Sequence, residues 1–173
     1  MRIAISGSHG TGKSTLVREL ADGLPDFIAT DEPYYLLAEE GHAFSQPPTF
    51  DDFIVLHERS LSLLTRSSSQ QILFDRSPAD YLAYLAALEP SAVSREQIAD
   101  TAAAMSTLDL VVFVPIEQPD CIGGTEAPRL RRRVDEILRE MLVENAWSFD
   151  ASVLEVHGTP RERADQVRAH LSQ

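Results

Sequence analysis

Lysine is nearly missing from this chain of 173 residues: of its 15 basic residues only Lys13 is a lysine, and the other 14 are arginines. Positive charge is scarce as well, since 27 acidic residues leave a formal charge of −12. A surface of that sign repels phosphodiester backbones and gains nothing from counterion release. General nucleic-acid binding is therefore excluded, and any phosphate must be held by a local device. Cysteine is reduced to Cys121. One thiol can neither close an internal disulfide nor build a thiolate metal site, so a reducing cytoplasm is the expected location. Long apolar runs are missing too: nothing approaches about 18 such residues, and Met1 to Gly7 contains no apolar segment ending in a small-residue cleavage site. Neither export nor membrane insertion is expected.

What remains is 43% apolar and 24% charged, the balance of an ordinary globular protein, at a length suited to one domain. Short β-branched runs alternate with longer helical patterns, the signature of parallel strands joined by crossovers. Strands are expected at Arg2 to Ser6, Asp26 to Thr30, Gln71 to Asp75, Asp109 to Pro115 and Ser152 to His157. Helices are expected at Lys13 to Leu24, Pro33 to Glu40, Phe50 to Arg66, Pro78 to Leu88, Arg95 to Ser106, Arg129 to Ala146 and Pro160 to Leu171. Ser77-Pro78-Ala79-Asp80, Ser94-Arg95-Glu96-Gln97 and Thr159-Pro160-Arg161-Glu162 each place a hydroxyl N-cap three residues before an acid or amide. Gly41 to Thr49 and Glu117 to Pro128, the latter holding Gly123-Gly124, read as loops.

The lone lysine belongs to Gly7-Ser8-His9-Gly10-Thr11-Gly12-Lys13-Ser14, a complete G-x-x-x-x-G-K-[ST] pattern set between an apolar strand and a helical pattern. Glycines let backbone N–H groups wrap a β-phosphate, and the helix N-terminus adds a positive dipole. Gly7, His9, Gly10, Thr11, Gly12, Lys13, Ser14 and Thr15 are thus the candidate cradle for ATP, with Lys13 bridging the β- and γ-phosphates and Ser14 ligating Mg²⁺. Arginine, a planar fork, cannot replace the compact ammonium here. The guanine signature Asn/Thr-Lys-x-Asp is missing after Val111 to Glu117, and no Asp-Glu pair follows an apolar run. GTPase and motor readings are accordingly weak.

Two strand ends carry further chemistry. Ile72-Leu73-Phe74-Asp75-Arg76-Ser77 places an acid where it can support Mg²⁺ through water, and a cation that can face anionic oxygens; the plainer alternative is an ion pair beside an N-cap serine. Ala29-Thr30-Asp31-Glu32-Pro33 places carboxylates on the edge where parallel sheets bind ligands. Glu32 or Asp31 is a candidate base for an acceptor hydroxyl, or an acid favouring a helix start. Arg129, Arg131, Arg132 and Arg133 open an amphipathic helix against its macrodipole. They read either as a lid supplying charge to the moving phosphoryl group, or as a solvated face with Arg131–Asp135 and Arg132–Glu136 pairs.

These segments together resemble the P-loop kinases of nucleosides and nucleotides. Glu32-Pro33 is similar to the Glu-Pro motif of deoxynucleoside kinases, and Asp75-Arg76-Ser77 to their Glu-Arg-Ser or to the Asp-Arg-Tyr of thymidylate kinases. The overall pattern resembles small bacterial AAA-type ATP-binding proteins related to the nicotinamide riboside kinase domain, over nearly the whole chain. The resemblance implies a three-layer α/β/α P-loop NTPase fold with a five-stranded parallel sheet in order 2-3-1-4-5, spanning 1–173 as one domain with a lid around 117–133. It implies Lys13, Glu32, Asp75, Arg76, Arg129, Arg132 and Arg133 as catalytic residues, Ser14 and Asp75 as the metal site, and the turn Gly158-Thr159-Pro160 beside adenine. ATP and Mg²⁺ are the implied cofactors and a small nucleoside- or nucleotide-like molecule the implied acceptor, with a homodimer as a candidate assembly. A regulatory ATPase without an acceptor is the competing class.

Overall fold

The computed structural model describes residues 1–67, 71–120 and 127–172. The expected loop from Glu117 to Pro128 is described only at its two ends, and Cys121, Gly123 and Gly124 lie outside the described residues. Five strands, β1 (Arg2–Ser6), β2 (Ile28–Thr30), β3 (Ile72–Asp75), β4 (Leu110–Phe113) and β5 (Val153–Glu155), form one sheet in the order β2-β3-β1-β4-β5. Every pairing is parallel, with Ile5 opposite Asp75 on one side and Val112 on the other. The helices are α1 (Lys13–Gly23), α2 (Pro33–Glu39), α3 (Phe50–Arg66), α4 (Pro78–Leu88), α5 (Arg95–Met105), α6 (Pro128–Leu138) and α7 (Pro160–Leu171). This is the three-layer α/β/α architecture of P-loop NTPases.

Strand alternation divides the core into two layers. Ile3, Ile5, Leu73 and Val112 face α1 and α7, meeting Leu16, Leu20, Ala164 and Val167. Ala4, Phe74, Val111 and Phe113 face the other side, where α3, α4, α5 and α6 contribute Leu56, Leu82, Met105 and Leu138. The central strands are apolar on both faces because helices cover both. The edge strands β2 and β5 keep only three residues each, and Ile28 is exposed. Short edges of this kind present little unpaired backbone to another chain.

The expected capping boxes at Ser77, Ser94 and Thr159 are present, and a fourth, Thr49 with Asp52, starts α3. One expected helix is different: the run from Arg129 to Ala146 begins at Pro128 and changes from α- to π-helical hydrogen bonding over Arg139–Val143. There Arg139 pairs with Glu155 on β5 and its guanidinium lies over the Phe113 ring. Among the described residues no helix is long and apolar enough to cross a membrane.

Candidate active site

The loop between β1 and α1 carries the phosphate motif, and side chains from three other elements hold its carbonyls. The Gly7 carbonyl accepts from Arg76 Nη1 at 3.2 Å, that of His9 from Arg131 Nε at 2.8 Å, and that of Thr11 from Arg163 Nη1 at 2.6 Å. A trans peptide whose carbonyl is held from outside turns the following N–H the opposite way. Arg131 and Arg163 therefore direct the Gly10 and Gly12 N–H groups toward the interior of the loop, the arrangement an anion nest requires. Glycine is needed where the loop leaves β1, because a Cβ on Gly7 would come within 2.4 Å of the Val114 carbonyl oxygen. Gly12 at φ +90° occupies the left-handed region that starts the helix turn.

Lys13 is buried, with Nζ donating to the Ser8 carbonyl at 2.6 Å. Burial, assisted by the Arg76 cation, lowers its pKa from 10.5 to about 8. The Ser14 hydroxyl hydrogen-bonds the Asp75 carboxylate, whose pKa burial raises. Asp75 is 6% exposed and its Oδ1 has no partner within the protein. An orphaned carboxylate oxygen beside a hydroxyl is a donor set suited to Mg²⁺, a hard cation that keeps most of its waters and takes only one or two protein ligands. No cluster of three or more His, Cys, Asp or Glu residues suited to a metal occurs among the described residues. Gly10 and Thr15 are exposed at the mouth of the cradle.

Glu32 and Arg76 meet across the ends of β2 and β3. Arg76 Nε donates to Glu32 Oε1 at 2.5 Å, with Nη1 also 3.5 Å from Asp80 Oδ1. Burial on its own would raise the Glu32 pKa, but Arg76 and Lys13 outweigh it and hold the carboxyl below its usual range. Arg76 sits at φ +81°, a conformation a non-glycine residue adopts at a cost of order 1–3 kcal/mol. Its guanidinium lies 5.7 Å and 5.9 Å from the Tyr81 and Tyr84 ring centroids. Asp31 is exposed and outside this pair.

Beside the pair opens a cavity of about 210 Å³ between α2, α3, α4 and the start of α6. Glu32, Arg76 and His9 supply its charged or titratable groups, and Tyr34, Phe53, Tyr81 and Tyr84 its aromatic walls. Tyr84 joins cavity to cradle: its hydroxyl accepts from the His9 N–H at 3.0 Å and lies 2.9 Å from His9 Nδ1. His57 and Arg59 are elsewhere, His57 against Thr101 and Arg59 against Glu40.

The turn after β5 is tied into the same site. Glu117 accepts from the Gly158 N–H at 2.7 Å and from Arg163 Nη2 at 2.9 Å. Gly158 and Pro160 are exposed there.

Of the arginine run, the structure turns only Arg131 inward. It is 2% exposed and pairs with Asp120, in place of the Asp135 partner considered from sequence. Asp135 instead accepts from the Ile116 N–H at 3.0 Å. Arg129, Arg132 and Arg133 stand exposed, Arg133 pairing with Glu136 at 3.2 Å in place of an Arg132–Glu136 contact. Arg131→Ala is expected to cost about 2–3 kcal/mol in urea unfolding, by removing charge-assisted bonds to the loop. Alanine at Arg129 or Arg132 should stay within about 0.5 kcal/mol of the parent.

Sequence reasoning read Arg131 only as one of four alternative lid arginines and passed over Arg163 and Asp80 as site residues. The signal was present for the two arginines: each falls on the apolar stripe of its helix, Arg131 with Val134 and Leu138, Arg163 with Ala164 and Val167. A charge at such a position is held inward by a partner.

The AAA domain family matches residues 2–163. No curated protein matches in sequence. Among solved structures, deoxyadenosine kinase from M. mycoides with bound dATP superposes with a TM-score of 0.68 at 16% identity, covering 100% of both chains. Thymidylate kinase from Candida albicans gives 0.64 at 16% identity, over 98% of this chain and 90% of that one. The NadR protein in complex with NAD and AMP-PNP gives 0.62 at 20% identity, over 99% of this chain and 49% of that one. The backbone is thus shared with nucleoside and nucleotide kinases.

Proposed function

We propose, from the premise that the chain belongs to the AAA domain family, that it is an ATP-dependent phosphotransferase acting on a small nucleoside- or nucleotide-like acceptor. The observation that carries this reading is the aromatic-walled cavity opening onto the Glu32–Arg76 pair beside the phosphate cradle. A nucleotide switch that only hydrolyses ATP needs no second pocket of that kind.

Lys13 and the loop N–H groups would hold the triphosphate, and Ser14 and Asp75 the Mg²⁺ that accompanies it. That ion neutralises phosphate charge when bound. Glu32 would take the acceptor proton as the acceptor oxygen bonds to the γ-phosphorus and the bond from that phosphorus to the bridging oxygen of ADP breaks. A carboxylate held below its usual range is ionised at neutral pH and ready for that role, though a weak base until the acceptor arrives. Arg76 would face the charge on the transferring group. The turn at Gly158 to Pro160 would border the adenine, and Arg129, Arg132 and Arg133 remain assigned to the lid. We place the protein in the cytoplasm, acting on small molecules and not on nucleic acid or membrane.

Glu32→Gln is the test. Acceptor-dependent ADP release should fall by about 10²–10⁴-fold, while binding of a fluorescent ATP analogue persists. Release of ADP and free phosphate that ignores both the acceptor and this substitution would instead identify a regulatory ATPase.

A further inference from the structure

We infer that the cavity beside Glu32 and Arg76 accepts an uncharged alcohol carrying a flat ring, a nucleoside and not a nucleoside monophosphate, with Tyr81 binding a second hydroxyl of that molecule. The inference rests on the phosphotransferase reading and deepens it by choosing between its two acceptor classes.

Charge is the first observation. Arg76 is the only lysine or arginine among the described residues lining the cavity. Its guanidinium is already engaged, by Glu32 at Nε and by the Gly7 carbonyl and Asp80 at Nη1. A phosphate monoester would bring close to two negative charges into this space, beside the Glu32 carboxylate, with only the already shared Arg76 guanidinium among the described lining residues to compensate their lost hydration. An alcohol brings none.

The second observation is an unsatisfied group. Tyr81 is 2% exposed, lines the cavity, and its hydroxyl has no hydrogen-bond partner within the protein. Buried phenols ordinarily find a partner. A substrate hydroxyl supplies one, since a phenol both donates and accepts. The third is shape. Phe53 and Tyr84 stack with centroids 4.5 Å apart and planes 6° from parallel, and both line the cavity together with Tyr34. At about 210 Å³ the space lies below the ~300–1,000 Å³ of drug-sized sites, which suits one ring on a sugar.

The experiment presents the full chain, ATP and MgCl₂ with adenosine, guanosine, cytidine, uridine, thymidine and the deoxy forms, and separately with their 5′-monophosphates. ADP release and product mass are recorded. At least one nucleoside is expected to exceed its own monophosphate by about tenfold or more in kcat/KM. Turnover of monophosphates in preference to nucleosides overturns the inference and spares the phosphotransferase reading. No acceptor-dependent ADP release with either set overturns both. Tyr81→Phe should raise KM for the preferred nucleoside by about tenfold with kcat within about twofold, and should not lower the thermal midpoint of the free protein. An unchanged KM, or a lowered midpoint, removes Tyr81 from the binding role.

Discussion

Lys13→Met is expected to lower ATP turnover by about 10²–10³-fold, the scale of losing one preorganised charged donor, while leaving the free protein no less stable at neutral pH. The two halves of this result have one cause. The ammonium is 4% exposed and lies near the Arg76 cation, so the fold holds it at a pKa of about 8 where a free lysine sits at 10.5. Between those values the unfolded chain binds a proton that the folded chain has released, and stability rises with pH wherever the unfolded state binds more protons. The parent should therefore gain about 3 kcal/mol relative to Lys13→Met as pH rises from 8 to 10.5, read by urea unfolding at each pH. A bound triphosphate reverses the preference, because it favours the charged amine. Affinity for ATP should consequently weaken above pH 8 in the parent. Because no other side chain carries a primary amine, amine acylation near pH 8 should label Lys13 and the chain terminus only, and ATP with Mg²⁺ should protect Lys13. A variant that keeps full turnover would overturn the cradle assignment.

Asp80→Ala should be the most destabilising single change in the site. Asp80 is completely buried and accepts from the Gly7 N–H at 2.8 Å, the Ser77 N–H at 3.0 Å and the Ser77 hydroxyl at 3.0 Å, with Arg76 nearby. It is the fourth residue of a capping box and, at the same time, the anchor of the first glycine of the phosphate loop. Alanine strands two backbone donors and leaves Arg76 a single close carboxylate. Breaking a buried charge pair from one side costs about 3–5 kcal/mol, which at this chain length lowers the thermal midpoint by roughly 6–20 °C. Calorimetry measures it directly. Glu162→Ala, which removes the corresponding box acid at the exposed start of α7, should lower the midpoint far less. Equal losses at the two positions would show that Asp80 serves only as a helix cap.

Much of this architecture can be read from residue pattern because the pattern is local. A period of two against 3.6, a hydroxyl followed three positions later by an acid, and a proline at the first helical position are all short-range properties, and α3, α4 and α7 begin and end where these signals place them. β2, β4 and β5 come out shorter than the runs expected for them, because a strand extends only as far as its neighbours pair with it. The phosphate motif is equally local. What pattern could not supply is pairing across distance: Glu32 with Arg76 lies 44 positions apart and Arg163 with Thr11 lies 152 apart. The arginine run shows the difference most clearly. Four cations in sequence look interchangeable, yet helical rotation puts Arg131 on the buried stripe and its neighbours in water. The π-helical turn at Arg139–Val143 coincides with the Arg139–Glu155 pair to β5, a contact no window of α6 sequence contains.

The clasp between Arg163 and the Thr11 carbonyl has a temporal consequence. Because its two halves sit 152 positions apart, the phosphate loop can form locally but is braced at Thr11 only once α7 has docked. Loop closure over such a span comes late, after local helices and neighbouring strands have formed. Bracing of the nucleotide loop at Thr11 is then a late folding event, coupled to the docking of α7 and not to the local turn that forms the loop itself.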